Sequence, residues 1–151
     1  MKIIDGKDYL PEVKELIREY LGSLGRDLSF QNIDDELKNP ALKYTAPEGE
    51  LLVVLNEGEV LGMVAYHRHS EARCEMKRLY VRPKARGMHL GSMLITEIIN
   101  HARNAGYKEM VLDTIAPLRT AISLYKESGF EECEAYYNNP MNDVIYMRKY
   151  L

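Results

Sequence analysis

The sequence predicts an α/β fold, a mixed twisted sheet flanked by helices. Three observations lead there. The apolar residues mark short strands and three longer stretches at helical spacing. These elements follow one another as β-α-α-β-β-β-α-β-α-β-β, a meander of strands that gives way to strand–helix alternation. The chain has 151 residues, 46% of them apolar, and a formal net charge of −3, which suits one core. Residues 1–151 are therefore expected to form a single domain.

Residues 1–5 read as a strand. Asp8 looks like the N-cap of a helix over residues 9–21, where Val13, Leu16, Ile17, Tyr20 and Leu21 share one face. Residues 22–50 show no clear pattern beyond a short helix near residues 32–39, and loops of that length are often functional. Strands over residues 51–55 and 60–67 flank Asn56-Glu57-Gly58-Glu59, a hairpin signal. Another strand, residues 75–81, is closed by Arg82-Pro83. Residues 91–103 are strongly helical, with Leu94, Ile95, Ile98, Ile99 and Ala102 on a wide apolar face and Asn104-Ala105-Gly106 ending it. Residues 110–114 read as a strand and residues 118–128 as a helix that stops at Gly129. Residues 131–137 and 144–148 read as the last strands, around an Asn138-Asn139-Pro140 turn.

Composition excludes several functions. Acidic and basic residues are balanced, without the basic excess of a nucleic-acid binder. No segment approaches the roughly 20 apolar residues that span a bilayer. Met1-Lys2-Ile3-Ile4-Asp5 lacks the apolar run of a signal peptide, so a cytoplasmic protein is expected. Cys74 and Cys133 have no CxxC spacing and read as free thiols in a reducing compartment. His67 and His69 have ligand spacing but no third ligand nearby, and no metal is expected.

The most informative stretch runs from Leu79-Tyr80-Val81-Arg82-Pro83 through Lys84-Ala85-Arg86-Gly87-Met88-His89-Leu90-Gly91-Ser92. It is a strand, a loop with two glycines and several cations, and the first turn of a long helix. A helix N-terminus offers unpaired N–H groups and the positive end of a dipole, so the segment suits a pyrophosphate. A plain strand-to-helix turn, with glycines for tight packing, is the other reading. It is neither a P-loop nor a dinucleotide fingerprint, because both spacings are absent.

Arg86-Gly87-Met88-His89-Leu90-Gly91 resembles the R/Q-x-x-G-x-G/A signature of the GNAT acetyltransferases. Ala121-Ile122-Ser123-Leu124-Tyr125-Lys126-Glu127-Ser128-Gly129-Phe130 is similar to that family's A-x-x-L-Y-x-x-x-G-F segment, and the element order matches over nearly the whole chain. Cys74-Glu75-Met76-Lys77-Arg78-Leu79-Tyr80-Val81, Leu112-Asp113-Thr114 and Tyr136-Tyr137-Asn138-Asn139-Pro140 resemble a group of small bacterial members. The resemblance implies the GNAT-type acyl-CoA N-acyltransferase fold, with acetyl-CoA as acyl donor and an amine as acceptor. There are two departures. His89 stands at a glycine position of the signature, and Leu118 stands where the family often has an asparagine.

The resemblance also implies direct attack of an amine on the thioester, with three tasks for the chain. The amides of Arg86, Gly87, Met88, His89, Leu90, Gly91 and Ser92 would hold the pyrophosphate. The backbone of Leu79, Tyr80 and Val81 would pair with the pantetheine arm like an added strand, and the Val81 amide would face the thioester carbonyl. Glu75 matches a position where some members carry a glutamate base; a surface or ion-paired carboxylate is its other reading. Regular alternation would put Glu75, Lys77, Leu79 and Val81 on one face. Tyr125 matches the tyrosine that protonates the leaving thiolate, and a helix-packing tyrosine is its alternative.

Cys74 falls on the face opposite Glu75 and has no paired histidine, which argues against a covalent cysteine mechanism. Tyr136 and Tyr137 line an acceptor pocket or pack an edge strand. The acceptor is left open among a small metabolite, a polyamine, an amino acid, an antibiotic and a protein amine; a homodimer is also left open. A non-catalytic acyl-CoA-binding module of the same fold is the alternative that His89 and Leu118 motivate.

Overall fold

The computed structural model describes residues 1–26, 33–44 and 48–151, with the side chains of all of these except Asp34 and Leu42. The elements are β1 (Lys2–Asp5), α1 (Leu10–Leu24), α2 (Ile33–Lys38), α3 (Pro40–Lys43), β2 (Gly49–Asn56), β3 (Glu59–Arg68), β4 (Arg73–Val81), α4 (Leu90–Asn104), β5 (Glu109–Ile115), α5 (Arg119–Glu127), β6 (Glu131–Cys133) and β7 (Val144–Tyr150). Short 3-10 turns precede α1 and α4. Among the described residues the strands form one seven-stranded sheet in the order β1-β2-β3-β4-β5-β7-β6. Its neighbours are antiparallel except β4 and β5. The expected mixed sheet with flanking helices is borne out.

Each face of the sheet has its own core. On one face α4 lays Leu94, Ile95, Ile98 and Ala102, all fully buried, against Leu52, Val54, Val64, Cys74 and Met110. On the other, Val13, Leu16 and Ile17 of α1 cover Val53, Met63 and Ala65. Burying a side chain of this size contributes about 1.5–3 kcal/mol, so both helices are fixed to the sheet by their apolar stripes.

The boundaries differ from the expectation where local chemistry overrides the pattern. Asp8 is not the cap of α1. Residues 6–9 form a 3-10 turn in which the Asp5 carboxylate accepts the Lys7 amide at 2.8 Å, and Pro11 sets the first turn of α1. The strand expected over residues 131–137 stops at Cys133, because Tyr136 and Tyr137 turn off the ladder to reach carboxylates on other strands. The unpatterned stretch holds two short helices, α2 and α3. Asn39 caps α3 through a 3.1 Å bond from the Ala41 amide, and Pro40 sits in its first turn. The remainder of that stretch, residues 27–32 and 45–47, lies outside the described residues.

Strand β4 carries a bulge. Its register against β3 steps between Met63↔Tyr80 and Ala65↔Lys77, so Arg78 and Leu79 together oppose Val64, and Arg78 takes a φ of 59°. The bulge reverses the alternation beyond it. Glu75 faces α1, whereas Leu79 and Val81 pack with the α4 core, so the four residues expected on one face are divided between two. Arg78 enters the α1 side and meets Glu36 of α2 in a two-pronged bond at 2.8 and 3.0 Å, with both side chains almost wholly buried. Burial pushes the Glu36 carboxyl up; the Arg78 bonds and charge, with Lys43, more than reverse this and leave it below the usual range.

The loop into α4 is tight as well. Gly87 takes φ 85° and His89, the residue before α4, takes φ 60°. A left-handed conformation costs a non-glycine residue on the order of 1–2 kcal/mol.

Two outcomes are expected. Glu36→Ala leaves Arg78 buried without its carboxylate and should lower stability by about 3–5 kcal/mol in urea unfolding. A loss within error would mean that water reaches the guanidinium. His89→Gly should raise the urea midpoint, by about 0.5–1 kcal/mol of stability once the extra freedom of the unfolded chain is discounted. A lower midpoint would show that the imidazole makes contacts worth more than the strain.

Candidate active site

The site follows from how β4 and β5 part. They pair in parallel only from Arg73↔Glu109 to Glu75↔Val111 and then separate. The gap beyond is a cleft of about 620 Å³, open to solvent, that reaches both sides of the sheet. Met76 and Leu79 of β4, Leu112 and Asp113 of β5 and Tyr125 of α5 wall it, with Tyr20 of α1 on the far side.

Backbone direction decides what β4 offers to the cleft. Arg82 N–H donates to Leu61 O at 2.8 Å across Gly62↔Val81, so residue 82 turns toward β3 and Val81 turns its own N–H and C=O away, to the cleft side. Leu79, two residues earlier, shares that orientation. Tyr80 does not: its carbonyl lies 2.9 Å from where a Cβ on Gly62 would stand, which turns its backbone to β3. Its ring packs edge-on to Tyr20, and its hydroxyl donates to Glu19 at 3.3 Å. Of the three residues expected to pair with an incoming strand, Leu79 and Val81 are oriented for it and Tyr80 is a packing residue.

The cradle lies at the same end of β4. The first hydrogen bond of α4 runs from Met93 N–H to His89 O at 3.1 Å, so the amides of Leu90, Gly91 and Ser92 precede the intrahelical ladder. Leu90 contributes backbone alone, because its side chain is buried in the core. Gly91 has a packing reason: a Cβ there would lie 3.1 Å from Leu124 of α5. The exposed Arg86 spans Tyr80 and the Val81 carbonyl, at 5.9 Å from the ring centroid and 3.3 Å from the oxygen. Met88, His89 and Ser92 are exposed at the mouth. These groups fit a pyrophosphate followed by an amide-bearing arm that enters the β4–β5 gap.

Tyr125 is buried at the cleft wall, its ring edge-on to Phe130 at 6.0 Å. Burial pushes its phenol well above the usual value, and the charge of Asp113 adds to this. Leu118, which starts α5 without a side-chain cap, lines the cleft with an apolar group.

Glu75 sits on the α1 side, 6% exposed, with both oxygens engaged. His67 Nε2 lies 2.8 Å from Oε1, and the Tyr136 hydroxyl donates to Oε2. Burial pushes the carboxyl up, but the His67 bond, the Lys77 charge and the Tyr136 bond outweigh it, bringing the pKa to about 2. His69 packs edge-on against Tyr136 at 5.3 Å. Cys74, on the opposite face, is fully buried, and burial pushes its thiol to about 12. It is a structural thiol.

Sequence reasoning missed the carboxylate that lines the cleft. Asp113 of β5 accepts the Tyr137 hydroxyl and, at 3.1 Å, the Asn139 amide, both on Oδ2. Arg26, at the end of α1, is the other omission: it lines the cleft and grips Asp143 at 2.7 and 2.8 Å. The Tyr136–Asn139 run was a visible signal, but its carboxylate partners depend on tertiary folding.

Comparisons with known proteins agree with this geometry. An uncharacterized N-acetyltransferase of Schizosaccharomyces pombe is 51% identical over 141 residues, covering 92% of this chain and 86% of the relative. A GNAT acetyltransferase of Staphylococcus aureus superposes with a TM-score of 0.78 at 20% identity, over 99% of this chain and 98% of that one. A GNAT acetyltransferase of Elizabethkingia anophelis, solved with acetyl-CoA bound, superposes with a TM-score of 0.63 at 21% identity, over 80% of this chain and 82% of the other. The model of the Acetyltransferase (GNAT) family matches residues 10–130. With the parted strands, the cradle before α4 and this match over most of its length, the chain belongs to the GNAT family of acetyltransferases.

Proposed function

We propose that this chain, working as a single domain in the cytoplasm, transfers the acetyl group of acetyl-CoA directly to a primary amine. The observation that carries the reading is the gap between β4 and β5, which has turned-out backbone on one wall, Tyr125 on another and access from both faces of the sheet. When bound, acetyl-CoA supplies a thioester-activated acetyl carbon, whose C–S bond breaks as the C–N bond to the acceptor forms.

Arg86, Gly87, Met88, His89, Leu90, Gly91 and Ser92 hold the donor's phosphates, mainly through backbone amides. Leu79 and Val81 align its arm, and the Val81 amide donates to the thioester carbonyl as negative charge grows there. Tyr125 donates a hydrogen bond to the leaving sulfur. A reference phenol giving its proton to a thiolate is already uphill by about 2 kcal/mol, and burial of Tyr125 raises that further. Tyr125 therefore completes the transfer only as a proton returns to it from the new amide.

An alkylamine near pKa 10.4 is free base about once in 2,500 at pH 7, so the acceptor must lose a proton. Glu75, held near pKa 2 with both oxygens engaged, is a poor direct base for that ammonium. Its proposed role is to position: it anchors Tyr136, so that Tyr137 can hold Asp113 at the cleft. Asp113 accepts the nitrogen's hydrogen bond and orients it, and the amine's proton leaves through the open cleft to base in bulk solution. Lys77, also in the lining, disfavours the charged amine. The acceptor is a small-molecule or protein amine. Membership of a small bacterial group and a homodimeric state belong to this proposal, beside the similarity to a fission-yeast protein.

Calorimetric titration with acetyl-CoA tests the reading: saturable micromolar binding is expected, and folded protein that binds none at millimolar donor would sink it. Tyr125→Phe should lower kcat by about 10–100-fold with donor affinity unchanged; equal losses in both would make Tyr125 a packing residue. Glu75 has a depressed carboxyl, so its stabilisation is present above the unfolded value of about 4.3 and lost as pH falls toward about 2. Glu75→Gln should flatten that acid limb of the stability curve. As a positioning residue its loss should lower kcat while keeping the shape of the pH–rate profile, whereas disappearance of the profile's acid limb would make Glu75 the base.

A further inference from the structure

The acceptor side of the cleft has a charge pattern of its own. At one end Asp113 presents a carboxylate whose two hydrogen bonds both land on Oδ2; among the described residues Oδ1 has no partner. At the other end stands Arg26, whose guanidinium meets Asp143 through two parallel bonds and also lies 3.6 Å from the Met141 sulfur. Among the described lining residues Arg26, Lys77 and Arg78 are cationic; Arg78 is met by Glu36 and Arg26 by Asp143.

The spacing of the two ends follows from the strand register. Ile115 pairs with Val144, and the Ala116 amide donates to Asp143 O at 3.0 Å, so Asp143 lies across from residue 116. Three residues along β5 separate that point from Asp113, about 10 Å at a rise of about 3.3 Å per residue. A short molecule with a hydrogen bond of about 2.8 Å at each end spans roughly the same length.

We propose that the acceptor is a small amine bearing an anionic oxyacid group, a carboxylate or a phosphonate, a few bonds from its nitrogen: Asp113 takes the nitrogen, and Arg26 takes the anion. The inference rests on the acetyl-transfer reading and narrows its acceptor. Asp143 fills the guanidinium's forked seat with a carboxylate of the chain itself, the geometry an acceptor carboxylate would adopt on exchange. A polyamine or a lysine-rich peptide would instead bring a second positive charge to the Arg26 end, where it meets the guanidinium rather than replacing its carboxylate, a repulsive contact that acts as selection.

The experiment compares acceptors of matched length, with free thiol as the readout: 3-aminopropanoate and 2-aminoethylphosphonate against 3-aminopropanamide and 1,3-diaminopropane. Calorimetry first establishes that the protein binds acetyl-CoA. The two anionic acceptors should exceed the neutral and cationic ones in kcat/KM by about 10-fold or more. Arg26→Gln should erase that preference by raising KM for the anionic acceptors alone. Asp143→Asn, which removes the resident carboxylate, should lower their KM several-fold. A merely structural clamp would instead raise KM for every amine in both variants, and that result would overturn the proposal. So would equal or better turnover of the diamine or the amide, or no turnover of any of the four by protein that binds acetyl-CoA. A protein that does not bind acetyl-CoA fails at the earlier step and removes the transferase reading with it.

Discussion

The parting of β4 from β5 is the constraint on which the rest of the molecule depends. A parallel pair that stayed in register to its end would satisfy its backbone groups internally and leave no room between the strands. Here the pairing lasts from Arg73 to Glu75 on one side and from Glu109 to Val111 on the other. Beyond it the cleft-facing N–H and C=O groups of Leu79 and Val81 have lost the neighbour that a sheet would supply. Unpaired strand edges are costly and reactive toward any peptide-like chain, so a cleft of this kind is already half a binding site.

Two devices hold the strands apart. In β4, the bulge at Arg78 adds a residue and strengthens the local twist. The extra side chain is retained on the α1 side because it finds Glu36 there rather than entering the core bare. A buried guanidinium with both prongs met ties α2 to the bulge, so the short helices over that face are joined to the geometry of the cleft. On the β5 side, the Tyr136–Tyr137 turn reaches across the sheet, one hydroxyl to Glu75 of β4 and the next to Asp113 of β5. The two carboxylates flank the place where the strands diverge, and adjacent residues of one turn hold both.

Much of this was legible in the sequence, and the exceptions share a cause. The stripe Leu94, Ile95, Ile98 and Ile99 and the continuous apolar runs of β2 and β3, buried on both faces of the sheet, report burial directly, so the elements and their order were readable. Cys74 was expected opposite Glu75, and it is. The bulge was not readable, because Arg78 at φ 59° carries no glycine to announce it, and one hidden residue reverses every face downstream. That is how Leu79 and Val81 came to be expected beside Glu75. Asp113 stood in plain view within Leu112-Asp113-Thr114, but a lone acid on a strand has no signature until a distant tyrosine and asparagine bind it. Glu36 is similar: an unremarkable acid on a short helix becomes a buried partner only because β4 delivers Arg78 to it.

The proposed transfer, direct from donor to acceptor, agrees with what the geometry aligns. The proposed donor seat, built from the α4 N-terminus and the outer backbone of β4, lies on one face of the sheet, and the charged groups proposed to take the acceptor lie on the other. The gap between β4 and β5 joins them. A side-chain nucleophile would have to stand in that gap, and the described cysteines do not: Cys74 is sealed in the α4 core with its thiol pushed to about 12, and Cys133 lies on the edge strand β6. Tyr125 does stand there, but a phenol raised by burial is a hydrogen-bond donor and not an attacking group at neutral pH. What the fold provides is alignment from two sides. Orienting two reactants in this way is worth several kcal/mol by itself, roughly 7–11 in well-aligned cases, without a third partner to bond with either.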